Sequence, residues 1–265
     1  MWEQFILGVI QGIAEWLPIS SEGMILLAKN TFLHSGDSFG ESIRQALYLH
    51  LGTFFAALIY FRADVGKLLK GVVNFRGQDT ETRNIFVFLF LSTLISGCLG
   101  LLLLKTVEDF AESFTTGSKI IVGLIGLLLI GTGFLEIRAK HGGYRHASDL
   151  RTRDGVILGI TQGFAALPGF SRSGLTVSAL LLCKFDRDFA LRLSFLMSLP
   201  IVLAGNIVKN WKALFEFSPE LLVGVGTAFV FGLATIHLLL KVAKKINFGI
   251  FVIVFGILTL ISTLI

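Results

Sequence analysis

The stretch that decides the fold is Phe5-Ile6-Leu7-Gly8-Val9-Ile10-Gln11-Gly12-Ile13-Ala14-Glu15-Trp16-Leu17-Pro18-Ile19-Ser20-Ser21-Glu22-Gly23-Met24-Ile25-Leu26-Leu27-Ala28. It is apolar at both ends and broken in the middle by Pro, Gly and Ser. Each half is too short to cross a bilayer, which needs about 20 apolar residues. Two short helices joined at mid-depth read as a re-entrant hairpin over 4–33. Such a break is tolerated only where it is buried in protein or lines a wet cavity. A second apolar region, 156–183, is broken in the same way around Pro168-Gly169.

Around these two regions lie six runs long enough to span: 43–61, 85–104, 119–137, 187–208, 221–240 and 248–265. The composition agrees. Of 265 residues, 54% are hydrophobic and 15% charged, against about a quarter charged in a soluble domain. One soluble core of this size cannot bury so much apolar surface. A soluble globular enzyme and a disordered chain are both excluded, and a polytopic helical membrane protein remains. The net charge of +5 does not point to nucleic acid, because the basic residues sit between apolar runs and orient the chain. Segments 62–83 and 138–154 and the turn at Lys241, Lys244 and Lys245 are basic, whereas 105–118 is acidic and 210–220 carries Lys212 against Glu216 and Glu220. The positive-inside rule puts the first three in the cytoplasm and both termini outside the cell membrane. Cys98 and Cys183 lie in apolar stretches and read as small buried hydrophobes. Glu15 and the absence of a basic n-region argue against a cleavable signal peptide.

Sliding the chain by 151 residues places Leu7, Gly8, Gln11, Gly12, Ala14, Ser20 and Gly23 on Leu158, Gly159, Gln162, Gly163, Ala165, Ser171 and Gly174. Three spans follow each hairpin, so 1–137 and 155–265 read as two repeats. The hairpins enter from opposite faces, which makes the repeat inverted. Inverted repeats place their site near the midplane, where the broken helices meet.

Glu15 and Glu22 sit at membrane depth, where a charge costs about 2.5 to 3.5 kcal/mol on insertion scales and is functional by default. Gln11 lies one turn from Glu15. Arg172 is the only basic residue between Asp154 and Lys184; it reads as a countercharge for Glu15 or Glu22, as a substrate ligand, or as both. After each Pro a new half-helix must start, with Ser20 or Ser21 and Ser171 or Ser173 as N-caps. Two helix N-termini flanking Arg172 suit a phosphate or diphosphate. Glu15 and Gln11, with Glu22, suit a divalent cation, Mg²⁺ or Ca²⁺, against the phosphates. His50 reads either as a buried neutral ring bonded to a carbonyl or as a proton shuttle.

Gln-x-x-x-Glu with Leu-Pro-x-Ser-Ser-x-Gly, and then Pro-Gly-Phe-Ser-Arg-Ser-Gly about 150 residues later, resembles the undecaprenyl-diphosphate phosphatases over nearly the whole chain. The resemblance implies a membrane hydrolase that takes one phosphate from a polyprenyl diphosphate to recycle the lipid carrier of envelope synthesis, and bacitracin resistance on overexpression. It maps the acidic motif onto Gln11 and Glu15, the serines onto Ser20 and Ser21, the arginine motif onto Ser171, Arg172 and Ser173, and a family threonine onto Thr176. The family usually has a His, a proposed catalytic base, where this chain has Met24. Gln11 stands where many members have Glu. Glu22, beside the changed position, is then the expected acid–base group and His50 its competitor. The expected chemistry is metal-assisted phosphoryl transfer with Ser21 as nucleophile, or a water activated by Glu15. The expected partners are the polyprenyl diphosphate and membrane lipid, not nucleic acid; a homodimer is left open. A polyprenyl-phosphate transporter of the same fold is the rival reading.

Overall fold

The structure is a computed structural model that describes residues 1–33, 37–113, 117–139, 143–215, 218–242 and 248–262. Eleven helices are seen among them: α1 Trp2–Ala14, α2 Ser21–Ala28, α3 Phe39–Tyr60, α4 Arg62–Val73, α5 Thr80–Ser113, α6 Gly117–Arg138, α7 Thr152–Phe164, α8 Arg172–Leu182, α9 Arg187–Lys209, α10 Pro219–Val242 and α11 Phe248–Ser262. No strand occurs among the described residues, and the protein is all-α.

The local reasons for these helices are legible. Ser38 starts α3 with a capping box: its Oγ accepts from the Glu41 amide at 3.2 Å, and the Glu41 carboxylate accepts from the Ser38 amide at 2.9 Å. Asp186 caps α9 by accepting from the amides of Asp188 and Phe189. α5, α9 and α10 are each long and apolar enough to cross a membrane; α3 with α4, bent by 85°, makes a fourth if the pair is counted as one span. The expected runs 119–137 and 248–265 fall on α6 and α11, although 263–265 lie outside the described residues. α1, α2, α7 and α8 have 13, 8, 13 and 11 residues. At 1.5 Å per residue they reach about 12 to 20 Å, short of the roughly 30 Å hydrocarbon core.

Two sequence expectations need correction. Much of segment 62–83, read as a basic connection, is the helix α4. It is amphipathic, and Val65 and Leu68 pack against the main core beside Phe61. Cys98 is exposed on α5 and Cys183 is only partly buried. An apolar span has a lipid-facing side, so a hydrophobic neighbourhood in sequence does not imply burial. The same side carries Phe90 and Leu102, 61% and 64% exposed.

The helices approach closely through small residues, the usual device where lipid is as apolar as leucine. α6 and α11 show it best. A Cβ on Gly133 would lie 2.6 Å from the Gly249 carbonyl oxygen, and one on Gly249 would lie 2.7 Å from that of Gly133. Gly126 and Gly256 repeat the reciprocal contact. Elsewhere α1 packs along α10, α7 along α5, and α3 against both α9 and α10. Gly133→Leu should therefore force α6 off α11 and cost about 1 to 3 kcal/mol or more. A lowered melting temperature in detergent checks this. Gly131→Ala, at a site with open space around it, should not lower stability.

Candidate active site

Both hairpins end their first helix just before the break. α1 stops at Ala14, and Glu15 to Ser20 turn before α2 begins. α7 stops at Phe164, and the chain passes Pro168 and Gly169 before α8. Gly169 sits at φ +108°, and a Cβ there would lie 2.6 Å from the Cα of Ile125, so glycine is required on two counts.

These turns bring the sequence-predicted residues together. Glu15 is the hub. Its Oε1 receives Arg172 Nη2, from the first residue of α8, in an ion pair. Its Oε2 accepts from Gln11 Nε2 at 2.9 Å and from Ser21 Oγ at 2.8 Å, and faces His50 Nε2 at 3.0 Å. Glu15, Ser21 and His50 are all buried, at 6 to 7% exposure. His50 Nδ1 lies 2.7 Å from the Ala46 carbonyl oxygen and therefore carries a proton. A second proton must lie between Nε2 and the Glu15 carboxylate. Of the two sequence readings of His50, the structure shows the carbonyl bond and adds a contact to Glu15. Arg172 is further held by Nη1 donating to the Ser194 carbonyl at 3.3 Å and by Trp16, whose ring centroid is 5.8 Å away.

The other predicted hydroxyls are already engaged. Ser20 and Ser171 are the N-caps, accepting at 3.1 Å from the amides of Gly23 and Gly174. Ser20 Oγ also accepts from the Gly169 amide at 3.0 Å. Ser173 Oγ donates to the Leu17 carbonyl at 2.8 Å. Thr176 donates to the Arg172 carbonyl and pairs with Ser194 Oγ at 2.7 Å. The two breaks are thus stitched to each other through backbone and hydroxyls. Met24 packs instead into the apolar cluster of Ile125 and Leu129.

A cavity of about 150 Å³ opens beside the cluster. Glu15, Glu22, His50 and Arg172 line one end, and residues of α5 and α9 form an apolar wall. Glu22 therefore shares the site without joining the hydrogen-bonded hub. Among the described residues, no group of three or more His, Cys, Asp or Glu side chains is placed to hold a metal. The Glu15 oxygens are engaged as above, but Gln11 Oε1 is buried without a partner. The sequence alone assigns no role to Trp16 or Ser194. Trp16 stands inside the quoted motif; Ser194 carries no signal, because only packing brings α9 to α8.

Fold and site together define a helical membrane protein with a buried ion-pair cluster at the head of an apolar-walled cavity. The chain belongs to the family described as Bacitracin resistance protein BacA, which it matches over residues 4–261. It is 46% identical to an undecaprenyl-diphosphatase of Methanococcoides burtonii over 98% of this chain and 97% of that one. It is 35% identical to an undecaprenyl-diphosphatase of Methanothrix thermoacetophila, over 98% and 96%. A third, from Saccharolobus solfataricus, is 34% identical over 97% and 93%.

Ser20→Ala removes a helix cap and the acceptor of the Gly169 amide together. It should cost about 1 to 3 kcal/mol, a lost cap plus a buried donor left unpaired. Thermal unfolding in detergent measures the cost; an unchanged midpoint would contradict the stitching role.

Proposed function

We propose that this protein hydrolyses a polyprenyl diphosphate of the undecaprenyl type to the monophosphate and phosphate, recycling the lipid carrier of envelope synthesis. The observation that carries this reading is the hydrogen-bonded set Ser21–Glu15–His50 with Arg172, at the polar end of an apolar-walled cavity. The names of the relatives support hydrolysis over the transporter reading.

In this reading Ser21 Oγ attacks the terminal phosphorus and passes its proton to Glu15, to which it is already bonded. The bond from that phosphorus to the bridging oxygen breaks, and the lipid monophosphate leaves. Water then takes the phosphoryl group from Ser21 and returns a proton to its oxygen. As Glu15 takes that proton, His50 releases the one on Nε2 to a phosphate oxygen in the cavity, and the Glu15 proton then moves to Nε2; the sequence reading gives this acid–base role first to Glu22. The reason for the change is contact: His50 Nε2 is 3.0 Å from Glu15. Arg172 has N–H groups left beyond those on Glu15 and Ser194, and these neutralise charge building on the phosphate oxygens. The first amides of α2 and α8, which have no partner within a helix, add to the anion site. Ser20, Ser171, Ser173 and Thr176 serve by holding those helix ends in place.

A divalent cation, Mg²⁺ or Ca²⁺, would be held by the open Gln11 carbonyl oxygen and the Glu22 carboxylate, hard oxygen donors that need few protein ligands when phosphates supply the rest. When bound it would supply further neutralisation of phosphate charge.

The membrane arrangement we infer has six spans and two re-entrant hairpins in an inverted repeat, 1–137 and 155–265. Two features support it. α1 lies along α10 while α7 lies along α5, a relation preserved when the halves are exchanged. The α6–α11 glycine contacts are reciprocal. The basic segments then face the cytoplasm and both termini face outward, in the cell membrane.

Arg172→Lys should lose about 10²-fold or more in phosphate release from undecaprenyl diphosphate while the protein still folds, because an ammonium cannot serve Glu15, the Ser194 carbonyl and a phosphate in one plane. Near-normal turnover would remove Arg172 from the chemistry. In the same assay His50→Gln should cost about 10²-fold and Glu22→Gln less, the loss of a proton-transfer group being of that order. The opposite order would return the role to Glu22.

For topology, a cysteine at Lys212 should react with an impermeant thiol reagent on intact cells, in a background lacking Cys98 and Cys183. One at Arg153 should not. Both positions are exposed. Arg145 would be a poor reporter, since its guanidinium is bonded to Asp154 and to the Cys183 carbonyl. Outside labelling at Arg153 would invert the orientation.

A further inference from the structure

Most described glycines that touch another helix do so with little room to spare, as between α6 and α11. Gly97 and Gly205 are exceptions. A Cβ on Gly97 of α5 would meet only Ile201 Cδ1, at 3.7 Å, and one on Gly205 of α9 only Leu47 Cδ2, at 4.0 Å. Close packing therefore does not explain them. Both line the cavity that begins at Arg172 and Glu15. Their missing side chains are part of its volume.

The cavity has a direction. Its polar end is fixed on α9 by the Arg172 bond to the Ser194 carbonyl. Its far end on α9 is Lys209, whose Nζ is 2.6 Å from Glu108 on α5. The α9 residues that line it run from Ile201 to Lys209, eight residues or about 12 Å along a helix. Between them the walls are apolar or bare. Near the outer end stand Leu101 and Val208, 39% and 58% exposed, so the lane reaches the lipid-facing surface between α5 and α9.

A third observation sets where the polar part ends. Gln162 is 4% exposed and lines the same cavity. Ser96 spends its own proton on the Thr93 carbonyl, so its oxygen accepts from Gln162 Nε2, at 2.9 Å. That fixes the orientation of the amide and leaves Gln162 Oε1 buried without a partner. An acceptor of this kind suits the hydroxyl of a protonated phosphate.

We propose that Gly97 and Gly205 form the walls of a lane that holds the first isoprene units of the lipid substrate, with the phosphate seated between Arg172 and Gln162 and the rest of the chain leaving over Leu101 and Val208 into the bilayer. The proposal rests on the hydrolase reading for the identity of its occupant. An apolar chain is the occupant that fits, because beyond Ser96 and Gln162 the α5 and α9 walls are apolar or bare as far as Lys209, whose ammonium is taken up by Glu108, and the lane opens to the surface over Leu101 and Val208. A Cβ at either glycine meets only the end of one flexible side chain, so a leucine there would project into the lane, and leucine favours helix over glycine.

The test compares Gly205→Leu and Gly97→Leu, from opposite walls, with the wild-type protein in detergent. The substrates are undecaprenyl diphosphate and the five-carbon dimethylallyl diphosphate. Each variant should lose roughly 10- to 100-fold in kcat/KM on the long substrate, the scale of steric discrimination in an apolar pocket. Neither should lose on the short one or melt lower. In parallel, a polyprenyl phosphate with a diazirine in its first isoprene units should label α5 and α9 peptides of the wild type and not of the variants. An unchanged long-chain kcat/KM, or an equal loss on both substrates, would overturn the lane. So would phosphate release with labelling elsewhere, which would leave the hydrolase reading intact. Labelling of α5 and α9 with no phosphate release from either substrate would instead support the lane and sink hydrolysis.

Discussion

The structure depends on one ion pair. Glu15 and Arg172 come from opposite halves of the chain, and each would be a costly buried charge without the other. Removing either partner of a buried pair leaves an uncompensated charge, worth about 3 to 5 kcal/mol. The pair holds the two hairpin tips against each other, and everything else at the site is placed relative to it. Gln11, Ser21 and His50 converge on the same carboxylate. Ser194 and Trp16 fix the guanidinium.

The short helices could not stand alone in lipid. Their broken backbones expose groups that hydrocarbon cannot satisfy. The long helices cover them, and the hydroxyls of Ser20 and Ser173 take up the exposed amide and carbonyl of the facing break. Elsewhere in the long helices the hydroxyls behave differently. Thr132, Thr227 and Thr235 each bond the carbonyl one turn back on their own helix. Those threonines neutralise themselves, whereas the serines at the breaks join one half of the protein to the other. That difference separates polar residues that are merely tolerated from those that build the site.

The chemistry follows from dryness as much as from residue type. A serine hydroxyl bonded to a carboxylate is unremarkable in water. Shielded from solvent beside a guanidinium and an imidazole, the same group has a fixed proton acceptor and fixed positive charge near the phosphorus it would attack. In the proposed reaction the apolar wall of the cavity would limit the entry of water and suit the chain that a lipid substrate brings with its headgroup.

Much of this was legible in the sequence, because the bilayer punishes polar residues. Glu15, Glu22 and Arg172 stood out by their cost, and the Pro and Gly breaks by the impossibility of crossing in halves. The helices fall on the expected runs for the same reason: length and hydropathy are properties of the chain itself. The choice of Ser20 and Ser171 as caps was narrowed to two candidates each and then decided by backbone geometry. Sequence could not show that Arg172 faces Glu15 and not Glu22, because that depends on how two hairpins 150 residues apart rotate about each other. Nor could it place His50, which sits mid-helix in an ordinary apolar run. It is a site residue only because α3 passes the hairpin tip with that face inward. Which side of a span meets protein and which meets lipid is likewise a tertiary matter, and it put Cys98 outside. Composition selected the solvent and the breaks; packing alone selected the partners.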